Sequence, residues 1–152
     1  AYEIYQCDWS SDVCSSDLPI YWHYVNGVLT PKDDRVYHGI AMVKKTISLI
    51  EQLKPKLGWL IENPRGMLRK MDFMEHLPRR TITYCQYGDF RMKPTDLWGT
   101  VPGWVAKTPC KPGSNCHESS PRGSSTGTQR LSKSQRSMIP YKLGEEICVS
   151  LE

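Results

Sequence analysis

Apolar residues fall at Val36, Ile40, Val43, Ile47 and Ile50, spaced four, three, four and three apart. That period places all five on one face of a helix, with Lys44, Lys45 and Glu51 off the stripe. Thr30 suits the N-cap, Pro31 the first helical position and Asp33 the acid of a capping box. The predicted helix ends near Lys54, because Pro55 disfavours helix in its predecessor. A short apolar run, Leu57 to Ile61, follows and reads as a buried strand. Pro64 and Gly66 stop it, which places Glu62 and Asn63 just past its carboxyl end. Ligands of open α/β sheets bind at that end of the strands, so Glu62 is a catalytic candidate. A simply solvated strand-end carboxylate is the competing reading, and on spacing alone the commoner one.

Helix into buried strand is the repeating unit of an α/β sheet. Before it, Tyr21, Trp22, Tyr24 and Val25 end at an Asn26-Gly27 turn. After it, Met67 to His76 predicts a short helix carrying Arg69 and Lys70, with its methionines, Leu68 and Phe73 in the core. Thr81 to Cys85 alternates and is β-branched, as half-buried strands are. Trp98, Pro102, Gly103 and Trp104 suggest an irregular stretch. Residues 119–137 are rich in Ser, Gly, Thr and Arg and predict a loop, either DNA-facing or a plain linker. Lys142 to Cys148 predicts a terminal helix packing through Leu143 and Ile147.

Residues 1–18 do not fit this pattern. They lack periodicity, and Ser-Ser-Asp occurs twice. Asp8 to Leu18 reads as the translation of a common short-read sequencing adapter, so it is set aside from the fold; a Ser-rich flexible leader is the alternative. The organisation expected is then 19–100 as an α/β core, 101–137 as a loop-rich basic segment and 138–152 as the terminal helix.

Charge sharpens the picture. From Arg65 to Arg136 there are thirteen Lys/Arg and five Asp/Glu, a surplus of eight in a chain whose net charge is +4. A basic half suggests a polyanion, most simply nucleic acid, against the plainer reading of a solubilising surface. No apolar run has the ~20 residues of a membrane span, and no signal-peptide pattern opens the chain, so a cytoplasmic setting with reduced thiols is expected. Six cysteines then point to chemistry or metal more than to a disulfide framework. Cys110, Cys116 and His117, with Cys85, could form a tetrahedral zinc set, although their spacing is unusual; reduced loop thiols are the simpler reading.

Glu62-Asn63-Pro64, followed by Arg65-Gly66, resembles the Glu-Asn-Val/Pro motif of the DNA cytosine-5 methyltransferases. The blocks Met67 to Met71, Thr83 to Asp89, Arg91 to Asp96, Cys116 to Ser119 and Pro121 to Gly123 resemble phage- and bacteria-borne members, from about Thr30 to Ile147. The resemblance implies part of a Rossmann-like domain that uses S-adenosylmethionine and double-stranded DNA and is monomeric when complete. It makes Glu62 the carboxyl group that holds cytosine N3, with Asn63 and Pro64 shaping its turn. It places Arg91 near the flipped base or a phosphate, with Arg79 and Arg80 as rivals. Arg65, Arg69, Lys70, Gln86, Lys93 and Arg122 complete the expected DNA contacts, each with a merely solvated alternative. In the family a Gly-rich cofactor motif and a Pro-Cys nucleophile precede the Glu-Asn motif. No Gly-x-Gly stands before Glu62, and Pro109-Cys110 lies after it, in the wrong order. The chain therefore reads as the carboxyl part of such an enzyme, inactive alone. A non-catalytic, zinc-ordered DNA-binding module is the alternative.

Overall fold

The computed structural model describes residues 22–119 and 131–152. The 1–18 segment, Tyr21 and Arg122 lie outside the described residues. Asn26 and Gly27 both take positive φ, 51° and 80°, which suits a two-residue hairpin turn. They join β1 (Trp22–Val25) to β2 (Val28–Pro31), pairing Trp22 with Pro31 and His23 with Thr30. This corrects the expected helix start. Thr30 and Pro31 are drawn into the hairpin, and helix α1 spans Arg35–Leu53 with Asp34 at its N-cap. Asp33 still serves this end, accepting the Arg35 backbone N–H at 2.8 Å. The other end falls as expected: Lys54 takes a left-handed conformation and Pro55 follows. Val36, Val43 and Ile47 of the stripe are buried.

Strand β3 (Trp59–Pro64) runs on through Glu62 and Asn63, which lie within the strand and not past it. Strands β4 (Arg79–Thr83) and β5 (Pro94–Thr100) complete a three-stranded sheet of order β3-β5-β4. β5 is antiparallel to both neighbours, so β3 and β4 run in the same direction and end at the same side. The architecture is mixed α/β, as expected, and the sheets among the described residues are small and antiparallel. Among the described residues β3 pairs only with β5, leaving its other edge open.

The central strand is the element that the sequence conceals. Pro94 is tolerated because it opens β5, where a missing N–H costs no ladder bond. Gly99 sits at φ 109°, and a Cβ there would lie 2.3 Å from the Trp59 carbonyl oxygen. Between them, Thr95 and Asp96 are fully buried polar residues, unlike the alternating pattern of a half-buried strand.

Leu97 and Trp98, adjacent on β5, point to opposite faces. Trp98 joins Val43 and Ile47 of α1 with Ile61, Leu68 and Met74. Leu97 joins Ile82, Tyr84, Tyr87, Val101, Trp104 and Leu143. Leu143 belongs to α3 (Tyr141–Val149), preceded by the short α2 (Lys133–Ser137). Leu143 and Ile147 thus pack onto the core as expected. Fully burying a side chain such as Leu143 is worth about 1.5–3 kcal/mol. The predicted helix at Met67 to His76 is instead two 3-10 turns, Met67–Lys70 and Asp72–Met74, separated by an extended Met71. β4 ends at Thr83, and Tyr84 and Cys85 enter a further 3-10 turn, Tyr84–Tyr87.

Candidate functional site

Strand β3 fixes Glu62 opposite Leu97, on the sheet face that α3 covers. The carboxyl is buried and accepts a hydrogen bond from the Tyr84 hydroxyl to Oε1 at 2.7 Å. Tyr84 stands where β4 ends, so two parallel-running strands deliver acid and phenol to the same place. Burial pushes the Glu62 carboxyl above its usual range, against the opposing pull of the Lys93 charge and the Tyr84 bond. The Tyr84 phenol is driven far up by its own burial and by Glu62, so it keeps its proton and donates. Lys93 packs its ammonium 4.5 Å from the Tyr84 ring centre and donates to the Arg136 carbonyl at 2.9 Å.

The Glu62 displacement has a sign that can be measured. Unfolded, the group titrates near 4.5; folded, it holds its proton to higher pH. Its contribution to stability is therefore fully present below 4.5 and is lost as pH rises through the folded value. Glu62→Gln, which cannot ionise, is expected to match the native chain in Tm near about pH 4 and exceed it at about pH 7. A Tm difference that does not change with pH would contradict this.

Arg91 is buried and ion-paired with Asp89. It also donates to the carbonyls of Gln135 at 3.0 Å, Arg136 at 3.4 Å and Met138 at 3.5 Å. Burial alone would raise the Asp89 carboxyl, but hydrogen bonds from Arg91 outweigh it and hold the group below its usual range. Arg91 thus ties the turn before β5 to the end of α2. Asp89 and Tyr84 are partners that sequence reasoning did not single out. The signal for Asp89 was its place two residues before a buried arginine.

Arg69 reaches the fully buried Asp96 through Nε at 2.8 Å, and Thr81 donates its hydroxyl to the same carboxylate at 2.7 Å. Its guanidinium is therefore engaged inside the fold. Asn63 is buried and donates from Nδ2 to the Pro64 carbonyl at 2.7 Å; with Pro64 it continues β3, in place of the turn that the resemblance implies. The Arg65 backbone N–H donates to the Pro94 carbonyl at 2.9 Å, while its side chain is exposed. Lys70, Arg79 and Arg80 are exposed; Arg79 and Arg80 also donate to the carbonyls of Arg69 and Trp104. Glu62 and Arg80 share one row of the sheet, both in register with Leu97, and Arg79 lies one row further from the end that Arg91 and Lys93 precede.

A second cluster lies one residue beyond Tyr84. Cys85 Sγ is 3.0 Å from Cys110 Sγ and 3.6 Å from Cys116 Sγ. His117 Nδ1 is 3.6 Å from Cys110 Sγ and 3.5 Å from Cys116 Sγ. Gln86 points its amide Nε2 at Cys116 Sγ, 3.6 Å away. Burial, reinforced by the hydrogen bond to Cys110, pushes the Cys85 thiol up to about 12. Burial would raise Cys110 as well, but hydrogen bonds from Cys85, Thr83 and Cys116 bring it below its usual range. No family model, curated protein or solved structure matches the chain.

Proposed function

We propose that the chain is the base-binding part of a DNA cytosine-5 methyltransferase. The observation that carries this reading is Glu62, a strand-borne carboxyl group that is buried, oriented by Tyr84 and displaced toward its neutral form. A solvated strand-end glutamate has none of these properties, and a plain DNA-binding module has no use for them. Cytosine C5 is a poor nucleophile until a thiolate adds to C6. Electron density then moves toward N3, and a carboxyl group placed there stabilises the developing charge more than it stabilises the resting base. Tyr84 occupies Oε1, and no described residue donates to Oε2, which is the oxygen left for the base. Double-stranded DNA is the substrate, and the target base leaves the duplex at a cost of about a few kcal/mol. Exposed Lys70, Arg79 and Arg80 suit phosphates, which position without reading sequence. Arg91 and Arg69 act from within the fold, holding the loops that carry the site.

S-adenosylmethionine, the methyl donor that the resemblance implies, does not fit the glycines that this chain offers ahead of Glu62. Gly27 turns a hairpin, Gly39 lies inside α1, and Gly58 is pressed against the Thr100 carbonyl, 2.3 Å from where a Cβ would sit. None opens a helix at the end of a strand, as a nucleotide cradle does. Among the described residues β3 has no strand along its outer edge, and such an edge can take a further strand. The nucleophile and the cofactor cradle belong to sequence added along it. Among the described residues no helix is long and apolar enough to cross a membrane, and the setting proposed is the cytoplasm of a bacterium or phage-infected cell.

The test is to resequence the source DNA across the codons for Gln6 to Ile20 and express the frame obtained. The expected result is an upstream Pro-Cys and Gly-rich motif, with transfer of labelled methyl to cytosine C5. A genuine frame that lacks both, whose product transfers no methyl, overturns the reading. Salt-steep DNA binding by that product would then favour the non-catalytic module.

A further inference from the structure

We infer that Cys85, Cys110, Cys116 and His117 bind one structural Zn²⁺ ion, which staples the irregular segment after β5 to the turn that carries Tyr84. The four donor atoms all lie within 4.8 Å of one another. A regular tetrahedron with ordinary zinc bond lengths has edges of about 3.8 Å between sulfurs and about 3.5 Å from sulfur to nitrogen. The observed separations of 3.6 Å for Cys85–Cys116, 3.6 Å for Cys110–His117 and 3.5 Å for Cys116–His117 match those edges. A fourth pair, Cys85 and Cys110, stands at 3.0 Å, too long for a disulfide bond of about 2.05 Å, and both cysteines are free. Three thiolates and one imidazole form a closed soft set that selects zinc and leaves no position for substrate, so the ion is structural.

The surroundings supply what such a site needs. Gln86 directs an N–H toward the Cys116 sulfur, the kind of outer contact that steadies a thiolate ligand. The Cys110 backbone N–H donates to the Thr83 hydroxyl at 2.9 Å, fixing the loop against the end of β4. The segment also needs a staple. Beyond Trp104 it has no helix or strand as far as Glu118, and 107–109, 111–113, 115 and 116 are exposed. An apolar core cannot order it, and a metal that joins residues 25 apart in sequence can. The inference stands whichever reading of Glu62 holds.

The chain, purified reduced, is assayed for zinc by mass spectrometry and titrated with Co²⁺. One zinc per chain is expected, along with the intense d–d bands and sulfur-to-cobalt charge transfer of a tetrahedral thiolate site. Cys110→Ser and His117→Ala are expected to weaken Co²⁺ binding by ~100-fold or more, the upper end of what loss of an outer-shell partner alone costs. Cys148→Ser, outside the cluster, is expected to bind as the native chain does. Little zinc and no tetrahedral Co²⁺ spectrum from the native chain would overturn the inference, even if a variant failed to fold. Equal weakening by Cys148→Ser would also overturn it.

Discussion

Under the proposed methyltransferase function, Glu62→Gln in the complete enzyme is expected to lower methyl transfer by roughly 10²–10⁴-fold, the range for a positioned acid–base group. That factor corresponds to about 2.7–5.5 kcal/mol of transition-state stabilisation. Gln has nearly the shape of Glu, and its carbonyl can still accept from Tyr84, so the local packing survives. What it loses is the proton and the charge that respond as electron density reaches N3. The loss should therefore fall on kcat with KM for DNA little changed, since the interaction strengthens only in the transition state. Tyr84→Phe should fall between the two, because it frees the carboxyl rotamer without removing the acid. Single-turnover transfer to a labelled duplex measures all three. Native turnover from Glu62→Gln would remove Glu62 from the chemistry, and a rise in KM alone would make it a binding residue.

How far the sequence reveals these features depends on how local their causes are. The stripe from Val36 to Ile50 needs only neighbours three and four residues away, and α1 follows it, with Pro55 marking its end. Its start does not, because Thr30 and Pro31 answer to Trp22 and His23 across a hairpin, and that pairing outweighs a capping pattern. β5 is concealed for a similar reason. A central strand with a buried aspartate and a glycine reads as irregular until Arg69, Thr81 and Trp59 are placed around it.

The site divides in the same way. Glu62 stands out because a short apolar run delivers it, although the strand extends past it. Its partner Tyr84 lies 22 residues on, and nothing near Tyr84 in sequence announces a hydrogen bond to a carboxylate. The thiol cluster is half legible. Cys110, Cys116 and His117 sit close together, but Cys85 joins them only because β4 ends in a turn and not as a continuing strand. Arg69 and Arg91 show the limit of charge counting. Both belong to the basic surplus, and both direct their guanidinium groups into the fold.

Arg69→Met gives the largest expected loss of stability. Asp96 is fully buried on the central strand, opposite Asn63 on one side and Thr81 on the other. Removing one partner of a buried pair leaves an uncompensated charge and costs about 3–5 kcal/mol. The Thr81 hydroxyl remains on Asp96, and the Arg69 side chain is 26% exposed, so the lower end is expected, about 3 kcal/mol. Arg69→Met with Asp96→Leu removes both charges and should recover much of that loss, since apolar replacement of a buried pair is often neutral. Urea unfolding of the native chain and both variants gives the comparison. The same variants separate the two roles open to Arg69. A stable Arg69→Met that binds DNA more weakly would make it a phosphate contact. An unstable one rescued by Asp96→Leu would make it the tie between the turn after Glu62 and the central strand, and so a support for the carboxyl group through the backbone that carries it.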